Sequence, residues 1–131
     1  MQGARWVREN ILDANEDLDI RVLAVWLPVL GSDNREAAKR ATRVLADARV
    51  EQFYDPGAKV GRWFKTNVVD DIKRLKNKGV FRGGITWDAF FLYGTKAKWS
   101  KAPKPPQSAG ATIMAENAIL AAAIRKLVAG K

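Results

Sequence analysis

Ile20 to Leu30 is an almost unbroken run of β-branched, aliphatic and Trp residues, the pattern of a strand covered on both faces inside an α/β sheet. Upstream, Trp6, Val7, Ile11 and Leu12 fall at helical spacing and predict an amphipathic N-terminal helix. Downstream, Asp33 stands three residues before Glu36, the spacing of an N-terminal capping box. Ala37, Ala38, Ala41, Val44 and Leu45 then follow on one helical face, with Arg35, Lys39, Arg40 and Arg43 on the other. Val50 to Asp55 (VEQFYD) reads as a second strand, so the stretch from Asp19 to Phe64 predicts a strand, a crossover helix and a strand.

Beyond the Asp55-Pro56-Gly57 turn, Val60, Trp63, Phe64, Val68 and Ile72 continue at helical intervals up to the basic run Lys73 to Lys78. Gly79 and Gly83-Gly84 mark a loop. Thr86 to Tyr93 reads as a strand, and the Pro-rich segment 102–106 as a surface loop that cannot join a central ladder. Ala111 to Met114 predicts a short edge strand. Ala115 to Val128, with Ile119, Leu120, Ala123, Ile124 and Leu127 on one face, predicts a C-terminal helix. The sequence expectation is therefore one α/β domain over 1–131 with element order β-α-β-α-β-β-α after the N-terminal helix. Trp26, Trp63 and Trp87 are expected in the core, and Pro28 where the first strand stops.

Charge changes the picture more than composition does. Residues 1–70 balance 11 Lys and Arg against 11 Asp and Glu, whereas 71–131 carry 12 against 3, so the whole net charge of +9 belongs to the second half. Lys73, Arg74, Lys76, Lys78, Arg82, Lys96, Lys98, Lys101 and Lys104 form its densest part, opposed there only by Asp88 and interleaved with Phe81, Trp87 and Trp99. Basic side chains near aromatic ones can hold a phosphate backbone and stack bases, so these residues form the candidate binding surface, for nucleic acid or an acidic protein partner. A solvated lysine-rich surface is the plainer reading of the same run.

The residue inventory excludes several chemistries. There is no His and no Cys, which removes a Ser-His-Asp triad, a Cys-His pair, the common His-based zinc sites and thiol–disulfide exchange. Asp70 and Asp71 are adjacent and point about 100° apart on a helix, a poor acid–base pair. Gly83-Gly84 lacks the phosphate-cradling pattern of a P-loop. No catalytic residue, metal site or cofactor is assigned. No run approaches the roughly 18 apolar residues of a membrane span, and the first residues lack a signal-peptide pattern, so the chain as it stands reads as cytoplasmic.

The strand ending in Trp26-Leu27-Pro28, the VEQFYD strand, the Asp55-Pro56-Gly57 turn leading to Val60-Gly61-Arg62-Trp63-Phe64, and Trp87 to Gly94 (WDAFFLYG) together resemble the thioredoxin-like superfamily, its bacterial branch in particular. The resemblance runs from Trp6 to Val128. It implies a three-layer sandwich, a central mixed sheet flanked by helices, and an ancestral role in thiol–disulfide redox chemistry, linked to envelope or metal-stress proteins. Such proteins act through C-x-x-C, or a variant with one Cys replaced or selenium-substituted, and this chain has neither cysteine. It also implies a central first strand that is missing ahead of the N-terminal helix. The expectation that follows is a gene product extending upstream of Met1, with a strand and a redox motif there, and a periplasmic or envelope location if a signal or anchor accompanies them. The alternative is a short protein whose sheet closes around three strands. At the place where the family has its cis-proline the chain reads Ile85-Thr86-Trp87, which puts Thr86 at that position.

Overall fold

The computed structural model describes residues 1–81, 83–101 and 105–130. It is a mixed α/β protein, with four α-helices and two small sheets among the described residues. The chain divides into two compact units, Met1–Gly61 and Arg62–Lys131. Among the described residues no helix is long and apolar enough to cross a membrane.

In the first unit, α1 (Gln2–Val7) runs on into a π-helical turn at Arg8–Leu12 and a 3-10 turn at Asp13–Asn15. Ile11 and Leu12 are its buried large side chains, as the helical spacing predicts. The strand β1 (Val22–Trp26), the helix α2 (Arg35–Ala41) and the strand β2 (Val50–Tyr54) form the predicted crossover unit, with β1 and β2 parallel and Val22 opposite Val50. The helix starts one residue later than the capping box implied. Asn34 is the last extended residue, so its Oδ1 reaches the Ala37 amide at 2.9 Å. Asp33 instead accepts from the amides of Leu30 (2.7 Å) and Val29 (3.2 Å), tying the loop after β1.

Arg49 fastens the N-terminal helical segment to this unit. Its guanidinium forks onto Asp47, with Nε at 2.9 Å from Oδ1 and Nη2 at 2.8 Å from Oδ2. It also donates to the carbonyls of Leu12 (3.0 Å), Asn15 (2.8 Å) and Glu16 (3.3 Å). These bonds draw on all of its donors and satisfy carbonyls at the end of the helical segment. The hydrogen bonds from Arg49 hold the Asp47 carboxyl well below the usual carboxylate range.

Coverage of the parallel pair is one-sided, which corrects the expectation of a strand buried on both faces. The register places Ala24, Trp26, Gln52 and Tyr54 on one face. There Trp26 Nε1 donates to Gln52 (3.0 Å), Gln52 donates to the Thr42 carbonyl at the end of α2 (2.9 Å), and Arg35 lies over the Tyr54 ring. On the other face Leu23 is 58% and Phe53 50% exposed. The apolar run of β1 is thus only half used by α2.

The second unit is entered through α3 (Lys59–Asn67) and continues with 3-10 turns at Val69–Asp71 and Gly79–Phe81. The strands β3 (Ala89–Leu92) and β4 (Ser108–Ala111) are antiparallel, Phe90 opposite Gly110, and α4 (Ile113–Ala129) follows directly. Val69, Leu75, Phe81, Ala109 and Ala111 form the core, with Ile72, Val80, Ala89 and Phe91 packed on it. Leu120 and Ile124 are the buried positions of α4, whereas Ile119, placed on the same apolar stripe by the sequence, is 40% exposed.

From β1 onward the order β-α-β-α-β-β-α is as the sequence predicts. Among the described residues the strands pair two and two, β1 with β2 and β3 with β4. Each strand finds its partner within its own unit. The third core strand is also shorter than Thr86 to Tyr93, beginning only after Asp88, whose φ of 46° breaks the extended run.

Candidate functional site

The nine cations of the sequence-predicted surface do not act alike. Arg74 and Lys78 are drawn into a network on Glu116. Arg74 Nη1 and Lys78 Nζ each stand 2.6 Å from Glu116 Oε1, and Glu116 Oε2 accepts from the Ala111 amide at 2.8 Å. The same two cations reach the backbone of β4, Lys78 at 2.8 Å from the Ala111 carbonyl and Arg74 on the Ala109 carbonyl. Ala109 and Ala111 are two apart and present their backbone groups to the same edge of β4. Three side chains therefore satisfy and block a strand edge that would otherwise be open for pairing.

Glu116 reaches back to that edge because its own backbone leaves the helical region, with φ −122° and ψ 21°, inside the first turn of α4. Partial burial raises the Glu116 pKa, but the Lys78 and Ala111 hydrogen bonds and the charges of Arg74 and Lys78 outweigh it. The carboxyl is held below its ordinary value.

Lys73 and Lys76 stay exposed because Leu75 between them is fully buried and anchors the segment to the core. Lys96, Lys98 and Lys101 are exposed in the loop after β3. None of these five makes an ion pair among the described residues. Arg82 and Lys104, the other two predicted surface residues, lie outside the described residues.

The lysine loop carries Trp99, which is 52% exposed, and it meets Trp63 of α3, 38% exposed. Their rings lie 6.4 Å apart between centroids and within 25° of parallel. Phe64 braces both, at 5.3 Å from Trp63 and 5.9 Å from Trp99, and itself packs on Phe91 of β3 at 4.9 Å. Tyr93 meets Trp99 edge-on at 5.6 Å. An aromatic surface rooted in the sheet thus opens among uncommitted lysines, and Arg62, exposed, adjoins Trp63 on the helix.

This corrects the placement of Trp63 in the core, whereas Trp26 and Trp87 are both partly buried with their indole N–H groups bonded, Trp87 to the Val80 carbonyl at 2.6 Å. Periodicity assigns Trp63 to the apolar stripe of α3. The signal that it is also a surface residue is its position between Arg62 and Lys65.

Thr86 is 5% exposed and its Oγ1 has no hydrogen-bond partner. The Tyr93 hydroxyl is likewise buried without a partner, and burial pushes its pKa up. An unpaired buried hydroxyl costs about 1 to 3 kcal/mol. Thr86→Val, which keeps the shape and removes that hydroxyl, is therefore expected to leave thermal stability unchanged or raise it by about 1 kcal/mol, read as the midpoint of a melt. A fall in the midpoint would mean that Thr86 Oγ1 is bonded.

Among the described residues no group of three or more acidic side chains could hold a metal ion. The fold and these side chains define a mixed α/β protein with an aromatic and basic surface on its second unit. Comparison with family models, with curated proteins and with solved structures finds no match.

Proposed function

We propose that this chain is a thioredoxin-like domain that works without thiol chemistry, as a non-enzymatic module binding single-stranded nucleic acid through the surface around Trp63 and Trp99. The observation that carries the binding reading is the exposed, near-parallel Trp pair set beside Lys96, Lys98 and Lys101. Aromatic rings give bases a face to stack on, and lysines free of carboxylates neutralise phosphates. The element order supports the thioredoxin-like part, and the lack of any cysteine leaves disulfide exchange without a nucleophile.

Charge reversal tests this at the right lysines. Lys78 is unsuitable because it holds the β4 edge. The variant Lys96→Glu, Lys98→Glu, Lys101→Glu is expected to fold normally and to lose at least about twentyfold in affinity for a labelled oligo(dT) at 50 mM salt. Poly-glutamate serves as the control polyanion and should not compete. Unchanged affinity in the variant, or equal affinity of the wild type for poly-glutamate, would remove the nucleic-acid reading, the latter in favour of an acidic partner.

A further inference from the structure

We infer that Trp63 and Trp99 form a clamp that takes one base of the strand between them, rather than two separate stacking platforms; this rests on the nucleic-acid reading above. A flat ring in van der Waals contact with both faces needs about two base-stacking spacings of 3.4 Å, roughly 6.8 Å in all. The ring centroids stand 6.4 Å apart and the planes are within 25° of parallel. The centroid distance is the upper limit of the gap between the faces, so the pair opens by at least about half an ångström to admit a base.

The two jaws are built differently. Trp63 projects from α3, with Phe64 beside it wedged on Phe91 of β3. Trp99 belongs to the loop after β3, steadied edge-on by Tyr93 and tilted against Phe64. The helix jaw is braced on the sheet through Phe64, and the loop jaw lies outside any helix or strand. Lys96, Lys98 and Lys101 sit on the same loop as Trp99, so phosphates flanking a clamped base meet ammonium groups within three residues of it. No acidic residue occurs between Asp88 and Glu116 to oppose them. Every base presents a π-face, so the clamp takes a nucleotide unit of any sequence.

The test measures the affinity of the full chain for fluorescein-labelled (dT)12 and for the same strand with abasic sites throughout. Trp63→Ala and Trp99→Ala are each expected to weaken (dT)12 binding about tenfold. Because either loss opens the sandwich, the double variant should lose clearly less than the hundredfold product. Trp63→Phe and Trp99→Phe keep a ring in place, retain most of the affinity, and show that the alanine losses do not come from misfolding. The abasic strand should bind weakly and be indifferent to both tryptophans. Free dTMP competing as well as the strand would identify a mononucleotide pocket and overturn the clamp on a strand. Losses that multiply to a hundredfold, or alanine variants that bind as the wild type does while the lysine variant fails, would also overturn it and leave the nucleic-acid reading standing. No binding by the wild type would overturn both.

Discussion

Glu116→Ala is expected to cost about 2 to 3 kcal/mol, and with it roughly 10 °C of melting temperature. The loss has three sources. The carboxylate leaves Arg74 and Lys78 without their counter-ion and the Ala111 amide without its acceptor. Arg74 is half exposed and can recover water, so the full penalty of a buried broken pair does not apply. Lys78 and the Ala111 amide are more enclosed and supply most of the effect. Because the edge of β4 is opened at the same time, the variant should also self-associate at high concentration.

The pH dependence follows from the direction of the shift. A carboxyl held below its ordinary value when folded adds stability above its unfolded pKa, and loses it as pH falls through the folded one. The wild type should therefore lose melting temperature as pH drops below about 4, and Glu116→Gln should flatten that part of the profile. An identical acid limb in both proteins would show that Glu116 is not held by these cations.

Gly110→Ala is the second large effect, expected at about 2 to 3 kcal/mol. Gly110 faces Phe90 across the β3–β4 pair. An added Cβ would stand 2.5 Å from Phe90 Cε1, 2.7 Å from its Cζ and 2.7 Å from Glu116 Oε2. Phe90 is buried and cannot swing aside, and Glu116 is tied by three donors. The requirement for glycine here is therefore one of space rather than of backbone conformation. In the double variant Gly110→Ala, Glu116→Ala one of the two obstructions is gone, so the combined loss should be smaller than the sum of the single losses. Additive losses, measured by denaturant unfolding, would show that the added methyl does not meet the carboxylate.

Much of the local structure was legible in the sequence because it depends on neighbours along the chain. VEQFYD becomes β2, the stripe of Leu120 and Ile124 is buried on α4, and the order of elements from β1 is as read. What depends on distant partners was not. Nothing in the run from Ile20 to Leu30 says that only one face will be covered, since apolar content reports a capacity for burial and not its use. Nor does the basic run from Lys73 to Lys78 show that Arg74 and Lys78 are committed. Their partner Glu116 is 38 or more residues away in sequence.

The candidate site was half legible for the same reason. Trp99 among lysines was visible, but its contact with Trp63, 36 residues away in sequence, was not.

The most direct test of nucleic-acid binding is the salt dependence of oligo(dT) affinity, measured by fluorescence anisotropy for the wild type and the Lys96, Lys98, Lys101 charge-reversal variant side by side. With three lysines on phosphates, the logarithm of the wild-type constant should fall with a slope of about −2 against the logarithm of salt, about a twentyfold loss between 50 and 200 mM. The slope should approach zero in the variant. Equal slopes in the two proteins, or no wild-type binding at 50 mM salt, would contradict it.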